Sequence, residues 1–237
     1  MPTKFVILSA ARSGTSLLTT TLSTHPDILC HGEIFHPKYR QHLKGTFTDM
    51  PDADILALRD DLDRFLPLVF EQPGPSIVGF KMWESQNPEC CARLLADTSV
   101  KKIIYERDNK LAQFSSGQLA KQTGVWNVSA DNSKRKIAAD PLPFNHNAFA
   151  RFLEKQNEIF QGYRDRARGD VLEVGFNQIA EGDFSPVLAF LGASDMNLAP
   201  RTKRLHSSDI LSRYDAAQHD TIRATLRDLG RMEWVSE

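Results

Sequence analysis

The sequence predicts an α/β fold in which a parallel sheet is flanked by helices within a single domain. Short runs of strand-forming apolar residues alternate with stretches of helical periodicity, the order of elements found in βαβ units. The apolar runs are continuous, as in strands that are buried on both faces. A length of 237 residues, with 41% hydrophobic and 25% charged residues, is typical of a globular domain and excludes disorder over most of the chain.

The first elements follow from local patterns near the N-terminus. Residues 5–8 (FVIL) are a short apolar run with strong strand propensity, and residues 14–24 repeat leucines at helical spacing. That helix ends at His25, because a residue that precedes proline disfavours helical backbone. The next apolar run, IVGFKMW at residues 77–83, predicts a second strand.

The second half of the chain continues the alternation. KKIIYE at residues 101–106 and VLEVGF at residues 171–176 predict a third and a fourth strand. The predicted helices are residues 109–122, residues 149–163 with a stripe of phenylalanines, residues 185–192 between a Ser-Pro start and Gly192, and a C-terminal helix that ends at Gly230.

Two stretches interrupt this rhythm, at about residues 36–76 and 124–148. Both are longer and more polar than ordinary connections, and DADILALRDDLDRFL is the one good helix in them. Such excursions in α/β proteins usually lie over the carboxyl ends of the strands, where ligands bind. We therefore expect one domain over residues 1–237 in which the two insertions form lids on the acceptor side of a site.

Charge and cysteine content exclude several classes of protein. Twenty-nine Lys and Arg against 30 Asp and Glu leave a net charge of −1, which argues against a nucleic-acid binder that depends on a global basic field. Three cysteines, two of them adjacent, do not form a disulfide framework. No apolar run approaches the ~18 residues of a membrane span, and a signal-peptide pattern is missing. A cytoplasmic protein is expected, and its oligomeric state is left open.

The most informative motif lies between the first strand and the first helix, at residues 9–16 (SAARSGTS). Consecutive small residues let backbone N–H groups converge on an anion, and the helix N-terminus adds its positive dipole end. The ATP-binding Walker pattern is absent, since no lysine follows Gly14. The motif predicts a P-loop-like anion site formed by Arg12, Ser13, Gly14, Thr15 and Ser16.

A second motif follows the third strand. Arg107 stands at the strand end, and Ser115 follows eight residues later on the next helix. Arginine offers a planar fork of donors that suits a dianionic phosphate, and a helix two turns long can bring a hydroxyl to the same group. The pair predicts a second phosphate contact.

Together the two motifs resemble those of the sulfotransferases, in which a loop of this kind binds a 5′-phosphosulfate and an Arg–Ser pair binds a 3′-phosphate. HPDILCHGEIFHP, VGFKMW and the tail from LAFLG to TKRLHSSDILSRYD are similar to bacterial lipopolysaccharide and nodulation-type carbohydrate sulfotransferases. The C-terminal Arg-Lys-Gly element of the hormone-type enzymes is absent. The basic cluster at residues 200–204, with Lys203, is the candidate for its role.

The resemblance implies a donor, a reaction and catalytic residues. The donor is 3′-phosphoadenosine 5′-phosphosulfate (PAPS), the product is PAP, and the sulfuryl group moves to a hydroxyl acceptor on a carbohydrate or glycolipid. Arg12 would meet charge on the bridging oxygen, Lys81 would contact the transferred group, and Glu33 would take the acceptor proton. His31 and His36 are the alternative bases. No metal is implied, since adjacent Cys30 and His31 cannot readily bind one ion.

Two other readings are open. A nucleoside or small-metabolite kinase would need a Walker lysine and a carboxylate for Mg²⁺. A non-catalytic nucleotide-binding module would keep the phosphate contacts but have no use for Arg12, Lys81 and Glu33 together.

Overall fold

In a computed structural model the chain forms a five-stranded sheet with helices on both faces. The structure describes residues 2–36, 42–126, 139–199 and 207–237. All four strand pairings are parallel and the strand order is β2-β3-β1-β4-β5, so the predicted parallel α/β architecture is confirmed. The strands are β1 Thr3–Leu8, β2 Ile28–Glu33, β3 Ile77–Met82, β4 Val100–Glu106 and β5 Val171–Gly175.

The helices connect these strands in the expected order. Their bounds in the described part of the chain are α1 Thr15–Leu22, α2 Asp52–Arg59, α3 Leu62–Phe70, α4 Pro88–Ala96, α5 Lys110–Thr123, α6 His146–Arg166, α7 Phe176–Ala180, α8 Ser185–Leu191 and α9 His219–Asp228. None of these helices combines the length and hydropathy that a membrane span requires.

The strand count predicted from sequence is wrong, because β2 was not recognised. Its sequence, ILCHGE, ends in His31, Gly32 and Glu33. Because these residues are polar or flexible, the segment lacks the continuous apolar run that predicts a buried strand. Strand β2 lies at the edge of the sheet and therefore needs only one partner. It pairs with β3, where Cys30 lies opposite Gly79. The strand carries Glu33 to the carboxyl edge of the sheet.

The helical stretch predicted within residues 36–76 is two helices, α2 and α3. Asp61 separates them and caps α3 by accepting a hydrogen bond from the Arg64 N–H at 3.2 Å. Phe65 and Val69 on α3 are fully buried in the core cluster that also holds Phe80 of β3. This part of the insertion therefore belongs to the core.

Side chains along β1 alternate between two apolar layers. Val6 and Leu8 enter the layer formed with α2, α3, α4 and α6, whereas Phe5 and Ile7 enter the layer formed with α1, α7 and α8. A third cluster joins α5, α6 and α9. Burial on both faces is the physical reason why the strand sequences are continuously apolar.

Candidate active site

The loop after β1 has a backbone conformation that lets a ligand approach its N–H groups closely. Arg12 has φ +65° and Gly14 has φ +80°, so two of three successive residues are in the left-handed region. A Cβ on Gly14 would lie 2.5 Å from the Phe176 ring, which makes glycine obligatory there on two grounds. Gly14 is the N-cap of α1 and provides no side-chain cap, so the first N–H groups of that helix stay open to a ligand. This geometry fits an anion cradle.

Helix α5 fixes the position of the loop. The Gln113 amide donates to Ala11 O at 2.8 Å and to Ser13 Oγ at 3.3 Å. Arg12 donates from Nε and Nη2 to Ser116 Oγ at 3.0 and 2.9 Å. The sequence analysis did not identify Gln113 or Ser116, although their spacing of three residues puts them on one face of the helix.

A buried polar cluster lies where the loop meets the ends of β2 and β3. Glu33 and Lys81 occupy paired register positions on these strands, and Lys81 Nζ lies 3.1 Å from Glu33 Oε1. The same ammonium lies 3.3 Å from Thr15 Oγ1 and 3.2 Å from Ser16 Oγ, so its three donors face three oxygens. Glu33 is 7% exposed and Lys81 is 5% exposed. Four residues predicted for catalysis or donor binding are thereby brought together.

Arg107, at the end of β4, connects the second motif to the first. Its Nη1 donates to Arg12 O at 3.2 Å, and its guanidinium stacks 4.6 Å from the centre of the Phe176 ring that also covers Gly14. Burial, and to a lesser extent the nearby charge of Arg107, lower the pKa of Arg12. The positive charges of Arg12 and Arg107 beside this loop favour an anion there.

Comparisons with known proteins agree with the observed fold. No protein-family model matches the chain. A solved sulfotransferase from Alicyclobacillus acidocaldarius superposes with a TM-score of 0.56 at 21% identity, covering 98% of this chain and 94% of that one. This chain has the sulfotransferase fold.

Two sequence relatives are both named Nodulation protein H. The one from Rhizobium meliloti strain 1021 is 30% identical over 152 residues, which is 60% of this chain and 58% of that relative. The one from Rhizobium meliloti is 28% identical over 211 residues, or 84% of this chain and 81% of that relative. The similarity to nodulation-type proteins that the sequence predicts is found again in these two relatives.

Arg107 already has an anionic partner. Its Nε donates to Glu237 Oε1 at 2.7 Å, and its Nη2 donates to Glu237 Oε2. The tail that carries Glu237 is pinned by the Asn109 amide, which donates to Ser236 O at 2.9 Å, and by the Glu237 N–H, which donates to Ser208 O. A 3′-phosphate at Arg107 would compete with this carboxylate for the Nε and Nη2 donors.

The serine of the second motif, Ser115, is held by other partners in the core. Ser115 is fully buried, its hydroxyl donates to Ala112 O, and it accepts a hydrogen bond from Arg213 Nη1 at 2.9 Å. Its neighbour Ser116 is the serine that contacts Arg12. Lys203 and the rest of the basic cluster at 200–204 lie outside the described residues.

The histidines near Glu33 differ in the hydrogen bonds and ring contacts that they make. His31 Nδ1 accepts the Lys44 N–H at 3.0 Å, so Nε2 carries the proton and donates to Val69 O at 3.1 Å. Burial lowers the pKa of His31 to about 4. These bonds leave neither ring nitrogen of His31 available to an acceptor.

His36 stacks on His42, a histidine that the sequence analysis did not identify, with ring centres 4.4 Å apart. His42 Nδ1 accepts the Glu33 N–H at 3.2 Å. Burial lowers the pKa of His42 to about 4. In the part of the chain that the structure describes, no group of three or more His, Cys, Asp or Glu side chains is arranged to hold a metal ion.

Proposed function

We propose that this sulfotransferase moves the sulfuryl group of PAPS to a hydroxyl of a carbohydrate or glycolipid. The observation that carries the proposal is the buried cluster of Glu33, Lys81, Thr15 and Ser16, in which a carboxylate, an ammonium and two hydroxyls meet beside an anion-binding loop. Such a cluster supplies a base and a set of donors for a negatively charged group that is being transferred.

The donor would lie along the loop and across to β4. The N–H groups at residues 14–16, at the start of α1, suit the 5′-phosphosulfate. Arg107 suits the 3′-phosphate, and Arg12 suits the oxygen that bridges sulfur and the 5′-phosphate. Ser115 would reach the 3′-phosphate only if its bond with Arg213 rearranged, and Lys203 is proposed on the resemblance alone. The fit is supported by the left-handed backbone at Arg12 and Gly14 and by the hydrogen bond from Arg107 to the Arg12 carbonyl oxygen.

The transfer step follows from these positions. Glu33 accepts the proton of the acceptor hydroxyl, the acceptor oxygen bonds to sulfur, and the bond from sulfur to the 5′-phosphate oxygen breaks. PAP leaves with the bonding electrons, and Arg12 with the N–H groups of the loop stabilises the charge on its oxygen. Lys81, with the hydroxyls of Thr15 and Ser16, holds the sulfuryl oxygens during the transfer.

The acceptor class and the location rest on wider features. A carbohydrate or glycolipid acceptor is supported by the resemblance to nodulation-type enzymes and by the two Nodulation protein H relatives. A net charge of −1 supports a small or glycan acceptor over nucleic acid. A cytoplasmic location is supported by three cysteines that are buried and free.

The catalytic assignment is tested with labelled PAPS and a panel of glycan, glycolipid and phenol acceptors. Glu33→Gln keeps the shape of the side chain and removes its basicity, so transfer should fall ~10²–10⁴-fold while PAP affinity stays within about twofold. His36→Ala is the matched control and should be milder. Full turnover of Glu33→Gln together with loss of activity in His36→Ala would identify a histidine base instead.

A turnover assay in the presence of a chelator distinguishes the proposed sulfuryl transfer from the kinase hypothesis. A phosphosulfate has no β,γ-phosphate pair for Mg²⁺ to bridge, so turnover in excess EDTA should stay within about twofold of the control. A collapse of the rate in EDTA, with phosphate transfer from ATP, would favour a kinase.

A further inference from the structure

Glu33 has a second partner that the proposed mechanism does not use. Gln86 lies in the short turn of residues 84–86 that follows β3, and its Nε2 donates to Glu33 Oε2 at 3.0 Å. Lys81 occupies the other carboxylate oxygen, Oε1. Both oxygens of Glu33 are therefore held, by a cation on one side and by a neutral amide on the other.

The orientation of the Gln86 amide is determined by its own backbone surroundings. Gln86 Oε1 accepts the Trp83 N–H at 3.3 Å, so the NH₂ end of the amide must face Glu33. The Gln86 N–H in turn donates to Trp83 O at 3.0 Å. The amide can thus act only as a hydrogen-bond donor toward the carboxylate.

The turn that carries Gln86 is tied to the start of the donor loop. The Tyr163 hydroxyl accepts the Glu84 N–H at 3.0 Å and donates to Ser9 O at 3.0 Å. Tyr163 is fully buried on α6. One rigid side chain therefore links the turn that holds Gln86 to the loop that would hold the phosphosulfate.

We propose that Gln86 is a positioning residue that orients the Glu33 carboxylate for proton transfer. A carboxylate has about four lone-pair sites, and one bond to each oxygen fixes the rotation of the group while leaving the other lone pairs for the acceptor hydroxyl. A neutral donor does this without adding a second positive charge, which would weaken the base. The inference rests on the proposed function, in which Glu33 is the base.

The titratable and charged groups around Glu33 are the ammonium of Lys81 on β3, the imidazole rings of His42 and His36, and the guanidinium of Arg59 on α2. Arg59 donates to Ile34 O and to His36 O, so it packs against the backbone that follows Glu33. Replacing Gln86 alters none of these groups directly. A change in the pH profile of kcat would therefore report on the hydrogen bond between Gln86 and Glu33.

Gln86→Met keeps the length of the side chain and removes the donor. Loss of a hydrogen bond to a charged group predicts that kcat falls about 10- to 100-fold while the KM for PAPS changes less than about twofold. The acid limb of the kcat profile should move to higher pH, because the ionised carboxylate has lost a stabilising bond. Gln86→Glu should move that limb further in the same direction, since it puts a like charge beside Glu33.

Gln161→Met is the matched control, because the exposed Gln161 amide also donates to a carboxylate, Asp165, at 2.7 Å on α6. Its kcat and pH profile should equal those of the unaltered protein. A wild-type kcat and pH profile in both Gln86 variants would overturn the inference.

A double-mutant cycle covers the case in which Gln86→Met also weakens the fold. If Gln86 acts through Glu33, adding Gln86→Met to Glu33→Gln should lower kcat by less than about twofold more. Fully additive losses would show a structural role and overturn the inference. Wild-type turnover of Glu33→Gln alone would instead overturn the assignment of Glu33 as the base in the proposed function.

Discussion

Glu237 places a carboxylate on the guanidinium of Arg107, the residue proposed to bind the 3′-phosphate of the donor. The contact uses two donors of the guanidinium, Nε and Nη2, and the Glu237 side chain is 2% exposed. A bidentate Arg–carboxylate pair has the geometry that an Arg–phosphate pair would adopt. Under the proposed function, donor binding at this residue would exchange one anion for another.

Arg107→Ala should weaken PAP binding by about 2–4 kcal/mol, because a partly buried phosphate loses its charged partner. Adenosine 5′-phosphate, which lacks the 3′-phosphate, should lose much less. Calorimetry with both nucleotides measures the difference. Equal losses for the two nucleotides would remove Arg107 from the 3′-phosphate site.

Glu237→Gln should have the opposite effect on PAP. Without the competing charge, the 3′-phosphate no longer has to displace an ionised partner, and PAP affinity should rise by about 1–2 kcal/mol, or roughly tenfold. Adenosine 5′-phosphate is again the internal control and should bind almost unchanged. An unchanged PAP affinity would mean that the phosphate binds without displacing Glu237.

At the scale of elements, the N-terminus of α1 and the start of α7 depend on each other. Phe176 opens α7, covers Gly14 on one side and stacks against Arg107 on the other. The loop after β1 and the motif after β4 therefore share one aromatic contact. A change in the loop should affect both phosphate contacts.

Gly14→Ala combines two costs, a side chain at φ +80° and a Cβ placed 2.5 Å from the Phe176 ring. Gly124→Ala is the matched control, since Gly124 has φ +70° at the end of α5 and nothing lies within 4 Å of its Cβ position. The control should lose about 1–2 kcal/mol of the free energy of unfolding, and Gly14→Ala should lose roughly 1–3 kcal/mol more. Denaturant titration measures both.

PAP binding to the Gly14→Ala protein provides a second readout. Affinity should fall in this variant and stay unchanged in Gly124→Ala, because only Gly14 belongs to the loop. Equal losses of stability in the two variants would show that Phe176 yields to the added methyl group.

At the scale of the whole molecule, a buried neutral histidine makes folding sensitive to acid. His31 joins β2 to α3 through its bond to Val69 O, and it is fully buried. Burial lowers the pKa of His31 in the folded protein to about 4, below the value of ~6.5 for an unfolded histidine. Between these values the unfolded state binds more protons than the folded state does.

The sign of the effect follows from that difference. The contribution of His31 to stability is fully present above about pH 6.5 and is lost as the pH falls toward about 4, by up to ~1.4 kcal/mol per pH unit. Unfolding curves recorded across this window should therefore show a falling free energy of unfolding. His31→Gln should flatten the dependence, and parallel curves for the two proteins would contradict this account.

The sequence by itself determined the architecture and the first half of the site. The apolar run at residues 5–8, the small residues at 9–16 and the leucines of α1 are contiguous, so their conformation depends mainly on their own composition. The same is true of Arg107 and the cap of α5, where Asn109 Oδ1 accepts the Ala112 N–H. Signals of this kind can be read without knowing which strands are neighbours.

Only the tertiary structure decided how these parts meet. Glu33 faces Lys81 because the edge strand β2 pairs with β3 in one register, and the bulge between His31 and Glu33 sets that register. Gln86, Gln113, Ser116 and Glu237 act through partners that are distant in sequence. Glu237 and its partner Arg107, for example, are 130 positions apart. Isolated polar residues carry no periodicity of their own, so their contacts follow from strand order and packing and cannot be read from local sequence.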